Sequence, residues 1–294
     1  MNYHSVVQPT RVGLAASSST PIKETTFVVF VHMRKHAGTS IRRMFQSQGT
    51  WQLLPYCLPW PDAVQRALRS NSTSTRHMFL ELHCHTYLPK FANMINASRK
   101  TLATAGHSPL RVMSFTVLRN PIDLILSEHN FFGRHAFSHS EWVRTHPEDF
   151  LYSPYHLNLR RGKDNPQHSL DRDACAAYEK AALHALEPFD HVAFVEEPSS
   201  MQWIAELAKV PDDHRNATGF GAFMEVPFQN AACKYCHDGN SNGNTVLRWN
   251  NESITLGKLR ELAARENRCS MRVYETIRAT WDARARAAVG AVVG

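Results

Sequence analysis

Apolar and polar positions along the chain fall into two alternating rhythms. Short, nearly continuous apolar runs occur at 27–33 ("FVVFVHM"), 77–85 ("HMFLELHCH"), 111–119 ("RVMSFTVLR") and 191–196 ("HVAFVE"). The first barely alternates, as expected of a strand covered on both faces of a parallel sheet. Between these runs the spacing changes to a helical one. Residues 40–48 ("SIRRMFQSQ") read as a helix closed by Gly49, 61–69 as a short helix started by its proline, and 89–97 as another. Further helices are expected from Pro121 through Phe131, over "DRDACAAYEKAALHALEPF", over the capped "SSMQWIAELAKV", and over 254–266 and 268–287. Strands alternating with helices predict an α/β fold: a central parallel sheet of four to five strands flanked by helices in three layers.

No linker divides the chain, so 27–294 is expected to be a single domain, with loop-rich insertions near 133–170 and 211–250. Residues 1–26 lack the apolar core of a signal peptide, carry Arg11 and Lys23, and contain no acid before Glu24; they read as a disordered leader. Hydrophobic residues make up 43% and charged residues 20%, and no apolar run of membrane-spanning length is present.

Charge narrows the picture further. A net charge of +7 favours an anionic partner, but the basic residues are scattered, with no Lys/Arg block and no zinc-finger or RNA-binding signature. A small anionic ligand fits better than nucleic acid. Six cysteines, at 57, 84, 175, 233, 236 and 269, allow two or three bridges in an oxidising compartment, and sequons at Asn71, Asn96, Asn216 and Asn251 point the same way. Cys233-Lys-Tyr-Cys236-His237 matches the c-type haem attachment pattern, but within an otherwise α/β chain a local disulfide or a thiol pair is the better reading.

Ligands of parallel sheets bind beyond the carboxyl ends of the strands, and three strand ends here are polar. The first runs Arg34-Lys35-His36-Ala37-Gly38-Thr39-Ser40 into a helix start, where unpaired amides attract phosphate. Gly38 permits close approach, Thr39 and Ser40 add hydroxyls, and Lys35 adds a point charge. The second holds Glu81, His83 and His85 on one strand face, which suits a general base, a zinc site or structural histidines alike. The third, Arg119-Asn120-Pro121, offers a planar fork for a phosphate, with Ser127 about two turns into the next helix.

"FVVFVHMRKHAGTSI" and "SFTVLRNPIDLILSEHNFF" resemble the two cofactor-binding motifs of the Golgi-type carbohydrate sulfotransferases, the heparan-sulfate 2-O- and 6-O-sulfotransferase-like superfamily. "FLELHCHTYLP" is similar to the His-x-His strand end of the 2-O-sulfotransferases, and segments over 190–280 resemble weaker landmarks. The resemblance implies a P-loop-like fold, the co-substrate 3′-phosphoadenosine-5′-phosphosulfate (PAPS), no metal, a glycan or other hydroxyl-bearing acceptor and residence in the Golgi lumen as a glycoprotein; the anchor usual in the Golgi enzymes is not seen in this sequence, which leaves a cytoplasmic or organellar location open. In this scheme Lys35 stabilises the departing bridging oxygen, and the turn from Arg34 through Ala37, Gly38, Thr39 and Ser40 holds the 5′-phosphate. Arg119 and Ser127 hold the 3′-phosphate, and His85, or else His83, is the base. Arg34 and His36 depart from the family pattern, which makes His36 a rival base and Arg34 a rival phosphate contact. Arg248 is a candidate to close over the donor. The competing readings are a nucleotide-dependent kinase, which lacks its Gly-Lys-Ser/Thr ending here, a zinc hydrolase on Glu81, His83 and His85, and a non-catalytic glycan-binding protein.

Overall fold

The computed structural model describes residues 25–33, 37–49, 51–55, 58, 62–63, 65–66, 77–82, 93–100, 110–129, 131, 137–145, 172–208, 246–249 and 252–293. Five strands, β1 (Thr25–Val31), β2 (Trp51–Leu53), β3 (His77–Leu82), β4 (Leu110–Leu118) and β5 (His191–Phe194), form one sheet in the order β2-β3-β1-β4-β5. Every pairing in it is parallel. The predicted α/β class and parallel sheet are therefore present. The fifth strand is β2, three residues that carry no readable period of their own; it pairs with the start of β3 at the sheet edge.

The pleat of β1 divides the core in two. Phe27, Val29 and Val31 pack with Leu80, Leu82 and Phe194 against two helices, α4 (Arg172–Leu186) and α7 (Arg268–Val293), which contribute Tyr178, Ala182, Ile277 and Trp281. Val28 and Phe30 face the other way, with Phe79 and Phe115, against α1 (Gly38–Ser47) and α5 (Pro198–Ala208). Full burial of an apolar side chain of this size is worth ~1.5–3 kcal/mol, so these two faces dominate the favourable side of folding. Trp51 Nε1 donates to Ala208 O at 2.8 Å, which ties the edge strand to α5. A disulfide between Cys175 and Cys269 joins α4 to α7 on the opposite face, with a Cα–Cα distance of 5.7 Å.

A third cluster lies apart from the sheet. It gathers Ile125 from α2 (Pro121–Glu128), Trp142 and Val143 from α3 (His139–Thr145), and Leu259 and Leu262 from α6 (Leu256–Glu266). Leu247 and Ile254 also pack there, from an antiparallel hairpin of β6 (Val246–Trp249) and β7 (Glu252–Thr255). Two expectations change here. The segment 133–170, read as loop-rich, contains helix α3, and the segment read as loop up to 250 ends in a strand. Residues 254 and 255 belong to β7, and Thr255 caps α6 by accepting from Lys258 N at 3.2 Å. Among the described residues no helix is long and apolar enough to cross a membrane.

Candidate functional site

Strand order places the crevice. From β1 the chain passes through α1 to β2 and returns as β3, all on one side of β1; it then crosses to β4 and β5 on the other side. The connections reverse direction at the β1–β4 pair, and a parallel sheet opens a ligand crevice at the carboxyl ends of strands where this happens. The two strand ends are laced together there, since Thr116 Oγ1 on β4 donates to Val31 O on β1 at 2.9 Å.

On the β1 side, α1 begins at Gly38, two residues earlier than its side-chain pattern suggests, because the cap is formed by backbone alone. Ala37 holds the left-handed conformation, with φ 62° and ψ 11°, and no side chain among the described residues caps the helix. Ala37 O accepts from Ser40 N at 3.0 Å and from Ile41 N at 3.1 Å. A left-handed non-glycine residue costs on the order of 1–3 kcal/mol and persists where its surroundings impose it. Thr39 is exposed and Ser40 half-buried in the first turn.

What imposes the turn lies beneath it. His32, just past β1, donates its backbone N–H to Leu82 O at 2.9 Å and stacks its ring on Phe30. A Cβ added to Gly38 would lie 2.0–2.2 Å from the Cε1, Nε2 and Nδ1 atoms of that ring. The space left by the glycine is therefore filled by His32. Glu81, wholly buried in β3, bonds His32 Nδ1 through one oxygen at 2.7 Å and accepts from Arg42 Nη1 of α1 through the other at 3.3 Å. Both oxygens of the carboxylate considered for zinc are thus engaged by the protein, and the described residues contain no metal-binding group of three or more His, Cys, Asp or Glu.

On the β4 side, Asn120 caps α2: its Oδ1 accepts from Ile122 N at 2.9 Å, ahead of Pro121 in the first turn. Arg119, immediately before this cap, is half-buried. Desolvation pushes its guanidinium below the ordinary range, while the charges of Asp123 and Glu196 pull the other way. A guanidinium stays protonated in proteins, so the effect amounts to an under-hydrated cation, the state in which an anion is bound most strongly. Asp123 accepts from Arg260 at 3.3 Å. Glu196 is exposed as a residue, but its carboxyl end accepts from Asn120 N at 2.8 Å and from Tyr274 OH at 2.9 Å. Burial of that end raises its pKa, opposed by those hydrogen bonds and by Arg119, and burial beside Glu196 raises that of Tyr274.

Eight residues after Arg119, Ser127 is 3% exposed, and its Oγ has no hydrogen-bond partner among the described residues. Arg248 is exposed on β6, in the hairpin that shares the third hydrophobic cluster with α2. The structure thus brings Ala37, Gly38, Thr39 and Ser40 to one side of the reversal and Arg119 and the helix bearing Ser127 to the other. Arg34, Lys35, His36, His83 and His85 lie outside the described residues. The sequence reading passed over His32, Asp123, Glu196 and Tyr274. Only His32 carried a local signal, an imidazole at the end of an otherwise apolar run.

The fold is that of an α/β protein with a central five-strand parallel sheet flanked by helices. No family model, curated protein or solved structure matches the chain.

Proposed function

We propose that this protein is a PAPS-dependent sulfotransferase of P-loop-like architecture, acting on a hydroxyl of a carbohydrate. The observation that carries the reading is the pairing of two anion-suited elements across one topological reversal. Among the described residues, one is a helix start with its amides uncapped by any side chain, and the other is a desolvated arginine followed by a helix with a buried, unpartnered hydroxyl. A donor with phosphate on both the 5′ and 3′ positions of its ribose needs two such elements, whereas a nucleoside triphosphate needs one continuous cradle.

In the reaction, the acceptor oxygen forms a bond to sulfur as the bond from sulfur to the 5′-phosphate oxygen breaks. Adenosine 3′,5′-bisphosphate leaves, and the acceptor proton passes to a histidine: His85, or else His83 or His36. Lys35 and the α1 amides, with Thr39 and Ser40, stabilise charge on the leaving oxygen and 5′-phosphate, the largest contribution a protein makes to such a transfer. Arg119 and Ser127 hold the 3′-phosphate. A general base of this kind adds ~10²–10⁴-fold in rate. The Cys175–Cys269 bridge supports an oxidising compartment such as the Golgi lumen.

Incubation of the full chain with sulfur-labelled PAPS and a panel of polysaccharides and small alcohols tests the reading. Label is expected on a polysaccharide hydroxyl, with release of the bisphosphate. Binding of glycans without any labelled product across the panel would favour the non-catalytic alternative, and transfer from ATP would favour a kinase.

A further inference from the structure

Resting on that reading of the crevice, we infer that His32, clamped by Glu81, is a positioning residue for the phosphate-binding turn. Three observations converge. The imidazole occupies the space over Gly38 that any side chain would need. Its Nδ1 is fixed by a fully buried carboxylate whose second oxygen holds Arg42 of the same helix. Ala37, which caps the helix immediately before Gly38, is the only non-glycine with positive φ among the described residues.

Glu81 thus joins β3, the end of β1 and the first turns of α1 at one point. Its charge is matched by Arg42, and Nδ1–H donating to it selects a single ring orientation. With the ring wedged against Gly38, the helix start cannot slide toward the sheet, and the backbone at Ala37 stays left-handed with the first amides of α1 aimed outward at the crevice. His32 touches no reacting atom in this scheme; it acts through the turn. Gly38 follows from His32 rather than from the ligand, which reverses the usual account of a glycine in a phosphate loop.

The test uses the full chain, adenosine 3′,5′-bisphosphate as probe, and melting temperature as a second readout. His32→Ala is expected to weaken bisphosphate binding by about tenfold or more, since misplacement of the order of an ångström costs up to ~10²-fold. KM for PAPS should rise in step, with a smaller change in kcat at saturating donor. His32→Asn, whose amide N–H replaces Nδ1–H toward Glu81, should recover part of that loss, which a purely space-filling role would not allow. Gly38→Ala alone should lower both affinity and melting temperature. In the His32→Ala background the same change should lower the melting temperature far less, because the methyl enters vacated space.

Wild-type affinity in His32→Ala, with wild-type protein binding the bisphosphate, would overturn the inference and leave the proposed function standing. If wild-type protein binds no bisphosphate, the proposed function itself fails and the positioning role falls with it. In that case the melting-temperature cycle still separates the packing: equal losses from Gly38→Ala in both backgrounds would show that the ring does not hold the turn. Should His32→Ala fail to fold, Glu81→Gln, which keeps an acceptor for Nδ1–H but removes the charge facing Arg42, carries the same binding test with the same expected loss.

Discussion

Ser127 is 3% exposed, and its hydroxyl lacks a hydrogen-bond partner among the described residues. An unsatisfied buried polar group costs about 1–3 kcal/mol, so such a position is retained at a cost to the fold. Ser127→Ala is therefore expected to leave stability unchanged or raise it by up to ~1 kcal/mol, while weakening the binding of adenosine 3′,5′-bisphosphate. Denaturant unfolding and calorimetric titration on the same preparations read the two opposite signs. A parallel loss of both would mean that the hydroxyl belongs to the fold. The sequence marked this serine by its distance from Arg119 alone. It could not show that the hydroxyl is buried and unmatched, because that depends on what α3 and α6 bring against α2.

At the scale of elements, legibility followed length and period. β1, β4 and α5 were readable because each is seven residues or longer, enough for a continuous apolar run or a helical period to show, and caps such as Asn120-Pro121 mark a helix start by local chemistry. β2 was not readable, since three residues cannot display a period and become a strand only by pairing with β3. Helix α3 and the β6–β7 hairpin were lost for a related reason. Their short apolar positions, Trp142, Val143, Leu247 and Ile254, make sense only as one cluster assembled from five elements.

The disulfide belongs to this scale as well. The six cysteines left their pairing open, whereas α4 and α7 packing on one face of the sheet set Cys175 and Cys269 within bridging distance. The bridge closes a separation of 94 residues. Chain-entropy reasoning for a loop of that length gives up to ~4–5 kcal/mol, and measured losses for native bridges run at about 2–5 kcal/mol. Cys175→Ser is expected to lower the melting temperature of the oxidised protein, and added reductant should lower that of wild type to about the same value. If reductant leaves the wild-type melting curve unmoved, the bridge contributes nothing to stability.

At the scale of the whole molecule, two histidines among the described residues set an acid limit. Burial pushes His139 down to about 4, helped by the neighbouring His129 and opposed by Glu252, whose carboxylate lies 3.9 Å from it. His191, stacked on Trp203 at 3.9 Å, is also held at about 4 by burial. In the unfolded chain both take up a proton near the ordinary histidine value of about 6.5. The folded state refuses that proton until about pH 4. Their contribution is therefore complete above pH 6.5 and is lost as pH falls from 6.5 to 4. Each histidine removes on the order of 2–3 kcal/mol over that window. Glu196, whose pKa is raised, works in the opposite sense, gaining stability as pH falls. Urea unfolding at pH 7 and pH 4.5 should show the difference, and His191→Phe, which keeps a ring on Trp203, should flatten the profile. A profile unchanged by that substitution would show that His191 is not one of the groups responsible.

By itself the sequence determined the α/β class, the strands of sufficient length and the residue types standing at their carboxyl ends, because period, caps and composition are properties of neighbouring residues. The tertiary structure alone decided the strand order β2-β3-β1-β4-β5, hence the reversal that sets Arg119 opposite the start of α1. It also decided that Glu81 faces His32 and Arg42, 49 and 39 residues away, and that Gly38 is matched to an imidazole. Pairings between residues so far apart carry no local periodicity; they arise only when burial of the two sheet faces brings distant segments into contact.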